Sequence, residues 1–228
     1  MTPSPGSHPD GSGGPHAFVD DLAHPVLRDD DAHHLRRVLR LRDGDALTVS
    51  DGRGSWRAYR FGDVLEPAGE VVEVPAPMTA LTLAVALTKG AKPELAVQKA
   101  TELGMDRVVL FTSARSIPRW DDARATKQLD RLRRVAREAS MQCRRVRVPE
   151  VEGLLDVAET RALPGACLAD MGAPPYAGQA TILVGPEGGW TDEERDDLPA
   201  VGLGPHVLRA ETAAIAAATL MAAHHRAS

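Results

Sequence analysis

Apolar positions fall into two textures along the chain. Residues 17–74 carry short strand-like runs broken by Gly and Asp. Residues 46–50 alternate, the tetrad Asp51-Gly52-Arg53-Gly54 follows, and residues 56–61 resume the pattern. Asp-Gly between two such runs predicts a hairpin, because both residues tolerate the positive φ of a tight turn. Ahead of them, the stretch from Asp31 to Arg40 puts Leu35, Val38 and Leu39 on one side of a short helix. This half predicts a small β-rich barrel. Pro75-Ala76-Pro77 marks a boundary, since two prolines in three residues stop a strand and stiffen a linker.

Beyond that boundary, apolar strands alternate with helical periodicity. Runs at 81–87, 108–111, 166–169, 181–184 and 207–208 predict buried strands. Lys92-Pro93-Glu94 opens a helix, with Pro where no amide partner is lost and Glu near the positive end; Gly104 ends it. From Ala125, apolar residues at Leu129, Leu132, Ala136, Ala139 and Cys143 keep gaps of four and three, a single helical stripe. Arg131, Arg133, Arg134 and Arg137 fall largely off it. Thr191 and Glu194 form a capping box, and Glu211 to His224 reads as a last, Ala-rich helix. Strands alternating with helices predict an α/β fold on a parallel sheet. Residues 1–15 are rich in Pro, Gly and Ser without an apolar core, which predicts a disordered tail and not a signal peptide.

Composition changes this picture in three places. Aromatics are 4% of the chain, so the core must be built from Ala, Val and Leu. Cys143 and Cys167 are too few for a disulfide framework or a four-ligand zinc site, and neither His33-His34 nor His224-His225 has spacing or acidic companions that demand a metal, so none is expected. No apolar run approaches the roughly 20 residues that cross a bilayer, so no membrane partner and a cytoplasmic location are expected. The net charge of −5 hides a split: residues 115–147 hold eleven Lys or Arg against four Asp or Glu, a surplus of seven, leaving −12 elsewhere. Such a block fits a solvated helix face or a nucleic-acid surface.

Four segments carry candidate chemistry. Gly185-Pro186-Glu187-Gly188-Gly189-Trp190 follows a strand and precedes a capped helix. Glycines let backbone groups approach a ligand, and open parallel sheets bind ligands at strand carboxyl ends. The segment lacks the Gly-Lys-Ser/Thr of a phosphate loop, and alone it reads first as a structural turn. Leu208-Arg209-Ala210-Glu211-Thr212-Ala213 is a second polar turn; by itself it could be a plain helix start. Thr88-Lys89-Gly90-Ala91-Lys92 fits a phosphate contact or a solvated loop. Last, Gln142-Cys143-Arg144-Arg145-Val146-Arg147 offers arginines whose forked donors suit phosphate, with Cys143 better placed for packing than for attack.

In this order the four segments resemble the RsmE family of 16S ribosomal RNA uridine-N3 methyltransferases, within the SPOUT superfamily. The matching stretches are LTKGAKPELAVQKATELG, EASMQCRRVRVPEV, ILVGPEGGWTDEE and VLRAETAAIAA, with DAHHLRRVLRLRDGD ahead of them. The resemblance implies a PUA-like RNA-binding β-barrel at residues 16–75. It implies a methyltransferase domain at 78–228 whose parallel sheet ends in a trefoil knot. It further implies S-adenosyl-L-methionine as cofactor, 16S rRNA of the small ribosomal subunit as partner, the uridine numbered 1498 as target, and a homodimer. Carried over by position, Leu183, Val184, Gly185, Pro186, Glu187, Gly188 and Gly189 would form one cofactor loop. Leu208, Ala210, Thr212 and Ala213 would form the other, with Met171 as a further wall. Arg36, Arg37, Arg40, Lys89, Lys92, Arg115, Arg119 and Arg145 would meet RNA. A glycine is common in the family where Arg144 stands here.

The implied reaction needs loss of the uracil N3 proton and stabilisation of negative charge on the base. Arg209, Glu211 and Arg144 are the candidate catalytic residues; Glu211 is a base or a holder of an arginine. Three other readings stay open: a related enzyme methylating ribose 2′-OH or another base, a non-catalytic RNA-binding assembly factor, and a nucleotide-binding enzyme using Gly90 and Lys92.

Overall fold

The computed structural model describes residues 7–89 and 92–225. They form two compact units, one of residues 1–77 with 140–148, the other of 78–139 with 149–228. One division between them lies at Pro77–Met78. Residues 140–148, assigned from the sequence to the second domain, instead belong to the first unit. Residues 1–6 and Gly90 lie outside the described residues.

In the first unit, β1 (His16–Phe18) runs parallel to β2 (Ala46–Ser50). The predicted hairpin joins β2 to β3 (Ser55–Arg60), pairing Ser50 with Trp56. The Asp51 carboxylate holds the turn by accepting from the amides of Arg53 and Ser55 at 2.7 and 3.0 Å. β4 (Glu66–Pro67) and β5 (Val72–Glu73) both pair with β3. Leu47, Val49, Tyr59 and Phe61 alternate inward and close a core with Leu22 and Leu35. A second cluster joins Trp56, Val72 and Val74 to Val146, so the returning segment supplies part of the packing.

Two expectations for this unit need correction. Helix α1 (Asp29–His33) continues into a wider turn over His34–Val38, and only Leu35 of its expected apolar stripe is buried; Val38 and Leu39 are 60% and 46% exposed. The wider turn shifts the phase of the side chains, and Arg40 at φ 58 ends it. Residues 7–15 are not a featureless tail either. Asp10 caps a 3-10 turn at Gly11–Gly13, and Trp56 Nε1 donates to the Ser7 carbonyl at 2.8 Å.

The second unit is an α/β layer structure on a six-stranded, wholly parallel sheet. Its strands are β6 (Thr82–Ala86), β7 (Arg107–Phe111), β8 (Glu150–Leu155), β9 (Ala166–Ala169), β10 (Thr181–Val184) and β11 (Ala200–Val201). The spatial order is β11-β9-β10-β6-β7-β8. Every residue of β6 and β10 is buried, as expected of strands covered on both faces. The helices are α2 (Lys92–Glu102), α3 (Asp122–Gln142), α4 (Val157–Arg161), α5 (Asp192–Arg195) and α6 (Ala210–His225). Leu129, Leu132, Ala136 and Ala139 of the α3 stripe are buried, while Cys143 is only half-buried.

The expected strand at Val207–Leu208 is a loop; the last strand is β11, seven residues upstream. Gly204-Pro205 breaks the chain just before the apolar pair, and Val207 is 81% exposed. Chain direction places the site. From β6 the chain moves to β7 and β8 on one side, then crosses to β9 and inserts β10 beside β6. Such a reversal of strand order opens a crevice outside the carboxyl ends of the strands.

Candidate active site

A cavity of about 180 Å³ lies at that carboxyl edge. The end of β9 supplies Ala169, Asp170 and Met171, and the loop after β10 supplies Val184, Gly185, Pro186, Glu187 and Gly189. The stretch leading into α6 supplies Leu203, Gly204, His206, Val207, Leu208, Ala210 and Ala213. Three segments singled out in the sequence thus line a common space. Of the residues expected in it, Leu183 is buried in the sheet core, Thr212 is exposed, and Gly188 faces Arg115 instead.

Trp190 is the residue that sequence reasoning missed. Its indole lies parallel to Phe111, ring centroids 5.9 Å apart, and its Nε1 donates to the Ala169 carbonyl at 3.0 Å. It thereby fixes the ends of β9 and β10 together beneath the cavity. A Cβ on Gly185 would lie 2.8 Å from the Trp190 ring, so glycine is required there for space. At Gly189 the requirement is conformational, because φ is 69° and nothing crowds it. A large aromatic directly after Gly-Gly in an aromatic-poor chain was the available signal.

A second layer of bonds holds the loops. Arg195 donates to Asp170 at 2.8 Å and to the Trp190 carbonyl at 2.9 Å. The capping box of α5 is complete: Thr191 and Glu194 exchange bonds, and Glu194 also accepts from the Ala114 amide at 2.8 Å. Arg115, expected on RNA, donates to the Gly188 carbonyl at 2.9 Å. The loop after β7 is thus fastened to the glycine-rich loop.

Charge concentrates where α2 and α6 begin. Lys92 Nζ lies 2.6 Å from Glu187 and 3.5 Å from Glu211. The bond to Glu187 holds the Lys92 ammonium above the usual lysine value, and the same bond holds the Glu187 carboxyl below the usual range. Glu211 has one carboxylate oxygen, Oε2, buried without a hydrogen-bond donor. Arg209 beside it is exposed.

Arg144 belongs to the first unit, where its guanidinium donates to the Gly14 carbonyl. Its backbone is left-handed at φ 59, which accounts for a glycine being acceptable at this position. Arg147 is tied likewise to the carbonyls of Arg53 and Val74, the latter at 2.7 Å. Among the remaining RNA candidates, Arg36 pairs with Asp63 at 2.5 Å and lies over the Phe61 ring, and Arg145 is half-buried. Arg37, Arg40, Lys89 and Arg119 are exposed. Among the described residues no helix is long and apolar enough to cross a membrane.

A parallel sheet with a glycine-walled crevice at its switch point is a framework suited to holding a cofactor. Consistent with this, a family model for an RNA methyltransferase domain matches residues 75–222, and one for an RNA methyltransferase PUA domain matches residues 27–64. The chain is 37% identical to ribosomal RNA small subunit methyltransferase E of Mycobacterium tuberculosis, over 88% of each chain. It is 30% identical to the protein of that name from Bacillus subtilis, over 81% of this chain and 84% of the relative. The chain belongs to the ribosomal RNA small subunit methyltransferase E family, as its motifs imply. Among solved structures, the Neisseria gonorrhoeae methyltransferase E bound to S-adenosyl methionine matches with TM-score 0.78 and 27% identity, over 92% of this chain and 97% of that one. A Legionella pneumophila protein solved with bound SAM matches with TM-score 0.79 and 25% identity, over the same shares.

Proposed function

We propose that this protein transfers the methyl group of S-adenosyl-L-methionine to N3 of a uridine in 16S rRNA of the small ribosomal subunit, the uridine numbered 1498 by family resemblance. The observation that carries the reading is the cavity shared by the ends of β9 and β10 and the start of α6. Its wall suits this cofactor. Gly185 and Gly189 expose backbone donors and acceptors, Val184, Pro186, Leu208 and Met171 offer apolar surface, and the carboxylates of Asp170 and Glu187 favour a cation. When bound, the cofactor supplies an electrophilic methyl on a positively charged sulfur.

The chain's own residues orient the base and manage its proton. The Glu211 carboxylate accepts the N3 proton, and the exposed Arg209 beside it offsets charge on the uracil oxygens. The target base leaves its stack to expose N3. Arg37, Arg40, Lys89 and Arg119 are exposed and suited to phosphates; Arg36, Lys92, Arg115 and Arg145 are placed more for bracing. We further propose the family's trefoil knot at the two cofactor loops, a PUA-like barrel in the first unit, a homodimer, and action in the cytoplasm.

Mass spectrometry of nucleosides from small-subunit rRNA tests the reading. Cells lacking this protein should lose N3-methyluridine and regain it on complementation. A persisting N3-methyl mark, or loss of a 2′-O-methyl or other base mark in its place, would overturn it. Glu211→Gln should keep cofactor binding by calorimetry while losing turnover; undiminished turnover removes Glu211 from the chemistry.

A further inference from the structure

Three cations of α3 stand without a partner. Arg124, Lys127 and Arg134 are exposed, and none of their side chains has a hydrogen bond or ion pair among the described residues. Their neighbours on the helix behave otherwise: Arg131 meets Glu94 at 3.2 Å, and Arg133 meets Asp130 at 2.9 Å. At about 3.6 residues per turn, positions 124, 127 and 134 fall within an arc of about 80° and extend about 15 Å along the axis. That arc lies on the far side of the helix from the buried Leu129, Leu132, Ala136 and Ala139. The Asp121 carboxylate accepts from the Arg124 amide at 2.8 Å, not from its guanidinium, and the exposed Glu138 closes the stripe one turn beyond Arg134. The chain holds 32 acids against 27 bases, so a shortage of carboxylates does not explain the bare stripe. Like charges a turn apart weaken a helix until a polyanion neutralises them. The stripe is also well placed. β7 ends on the carboxyl edge that holds the cavity, and the loop from it, tied to the glycine-rich loop by Arg115, delivers the start of α3.

We propose that this face of α3 is a landing ridge for the RNA substrate. Arg124, Lys127 and Arg134, continued by the exposed Arg119 in the preceding loop, take phosphates of one RNA backbone and align it toward the cavity. The inference rests on the rRNA reading above but not on which atom receives the methyl. Cations in a row along a rigid helix suit a polymer of evenly spaced negative charge; a single small anion needs donors that converge. The arginine forks pair with phosphate oxygens, and the lysine acts as a point charge. The surplus of acids elsewhere on the chain repels the same backbone and so favours approach over this face. Phosphate contacts fix register without reading bases. The ridge therefore governs RNA affinity and leaves the choice of nucleotide to the cavity.

Binding of the full-length chain to naked small-subunit rRNA, measured between about 50 and 200 mM salt, tests this. Arg124→Gln, Lys127→Gln and Arg134→Gln together should flatten the slope of log affinity against log salt by about 2–3. The drop in affinity across that range should then shrink by roughly 20- to 40-fold. In methylation assays the loss should appear in KM for RNA and not in the rate at saturating RNA, with the S-adenosyl-L-methionine dissociation constant within about twofold of the parent. Lys99→Gln with Arg133→Gln removes two cations already paired with Glu102 and Asp130. Its slope should stay within about 0.5 of the parent. A triple variant whose slope matches the parent, or a control pair that flattens it about two-thirds as much as the triple, overturns the ridge and leaves a solvated helix face. Loss confined to assembled subunits, with naked rRNA bound as before, overturns it in favour of a protein partner. A parent that does not bind rRNA brings down the rRNA reading and the ridge together; a parent and triple variant that bind equally well fail the ridge alone.

Discussion

Adding one methyl group at Gly185 should disable cofactor binding without unfolding the protein. In Gly185→Ala the new Cβ meets Trp190 Cε2, Cζ2 and Cδ2 at 2.8, 3.1 and 3.2 Å. Carbon atoms settle about 3.5–4.0 Å apart, so the ring or the loop must retreat by roughly 0.7 Å or more. The ring has nowhere to go: it is 2% exposed, lies on Phe111 and is bonded to the Ala169 carbonyl. The loop therefore yields, and with it the backbone wall of the cavity. Overpacking of this kind costs about 1–3 kcal/mol. Expressed in binding, that is roughly 5- to 150-fold weaker affinity, at about 1.4 kcal/mol per decade. Calorimetric titration with S-adenosyl-L-methionine reads the affinity, and urea unfolding reads the stability. Adding Trp190→Phe, which removes the fused ring's far atoms, should restore part of the loss. Affinity within about twofold of the parent in Gly185→Ala would refute the claim that space alone demands glycine there.

Other consequences can be measured independently. Gly189→Ala should also weaken cofactor binding, but through the strained φ of 69° at about 1–2 kcal/mol, and no change at Trp190 should rescue it. His16 is buried between the Thr48 and Ser50 hydroxyls; burial, reinforced by the Arg144 charge, pushes its pKa down to about 4. The unfolded chain takes up this proton near pH 6.5, so stability is full above that and falls by on the order of 3 kcal/mol as pH drops towards 4. Urea unfolding across that window should show a flatter slope in His16→Gln, and an unchanged slope would disprove the assignment. Arg144→Gly should be close to neutral in stability, since relief of about 1 kcal/mol of left-handed strain offsets the lost bond to Gly14; a large loss by thermal unfolding would show the bond to dominate.

Much of the second unit was legible because its strands are buried on both faces. A run such as Thr82–Ala86 or Thr181–Val184 has no alternation to confuse, and α2 and α3 announce themselves by Pro93 and by the stripe from Leu129 to Ala139. β8 escaped notice because it is an edge strand of mixed character, Glu150–Leu155, with burial confined mainly to Val151. Val207–Leu208 misled in the opposite sense: two apolar residues suggest a strand only if a neighbour exists to pair with them, and Gly204-Pro205 carries them off the sheet edge. In the site, glycines and polar turns could be read from local order. The partnership of Arg144 with Gly14 joins positions 130 residues apart, and that of Lys92 with Glu187 spans 95. No local pattern encodes such pairs, and the same is true of Trp190 with Phe111.

The discontinuity of the first unit sets a timetable for its birth. Trp56, Val72 and Val74 complete their cluster only with Val146, and Arg53 meets its bridge partner Arg147 later still. At about 5–20 residues per second, a ribosome needs roughly 4–14 s to travel from Val74 to Val146. Throughout that interval the nascent sheet stands with an apolar face uncovered, although its hairpin strands have all been made. An expressed fragment ending at Pro77 would be frozen in that same unfinished condition, whereas appending residues 140–148 through a short linker supplies what elongation delivers late.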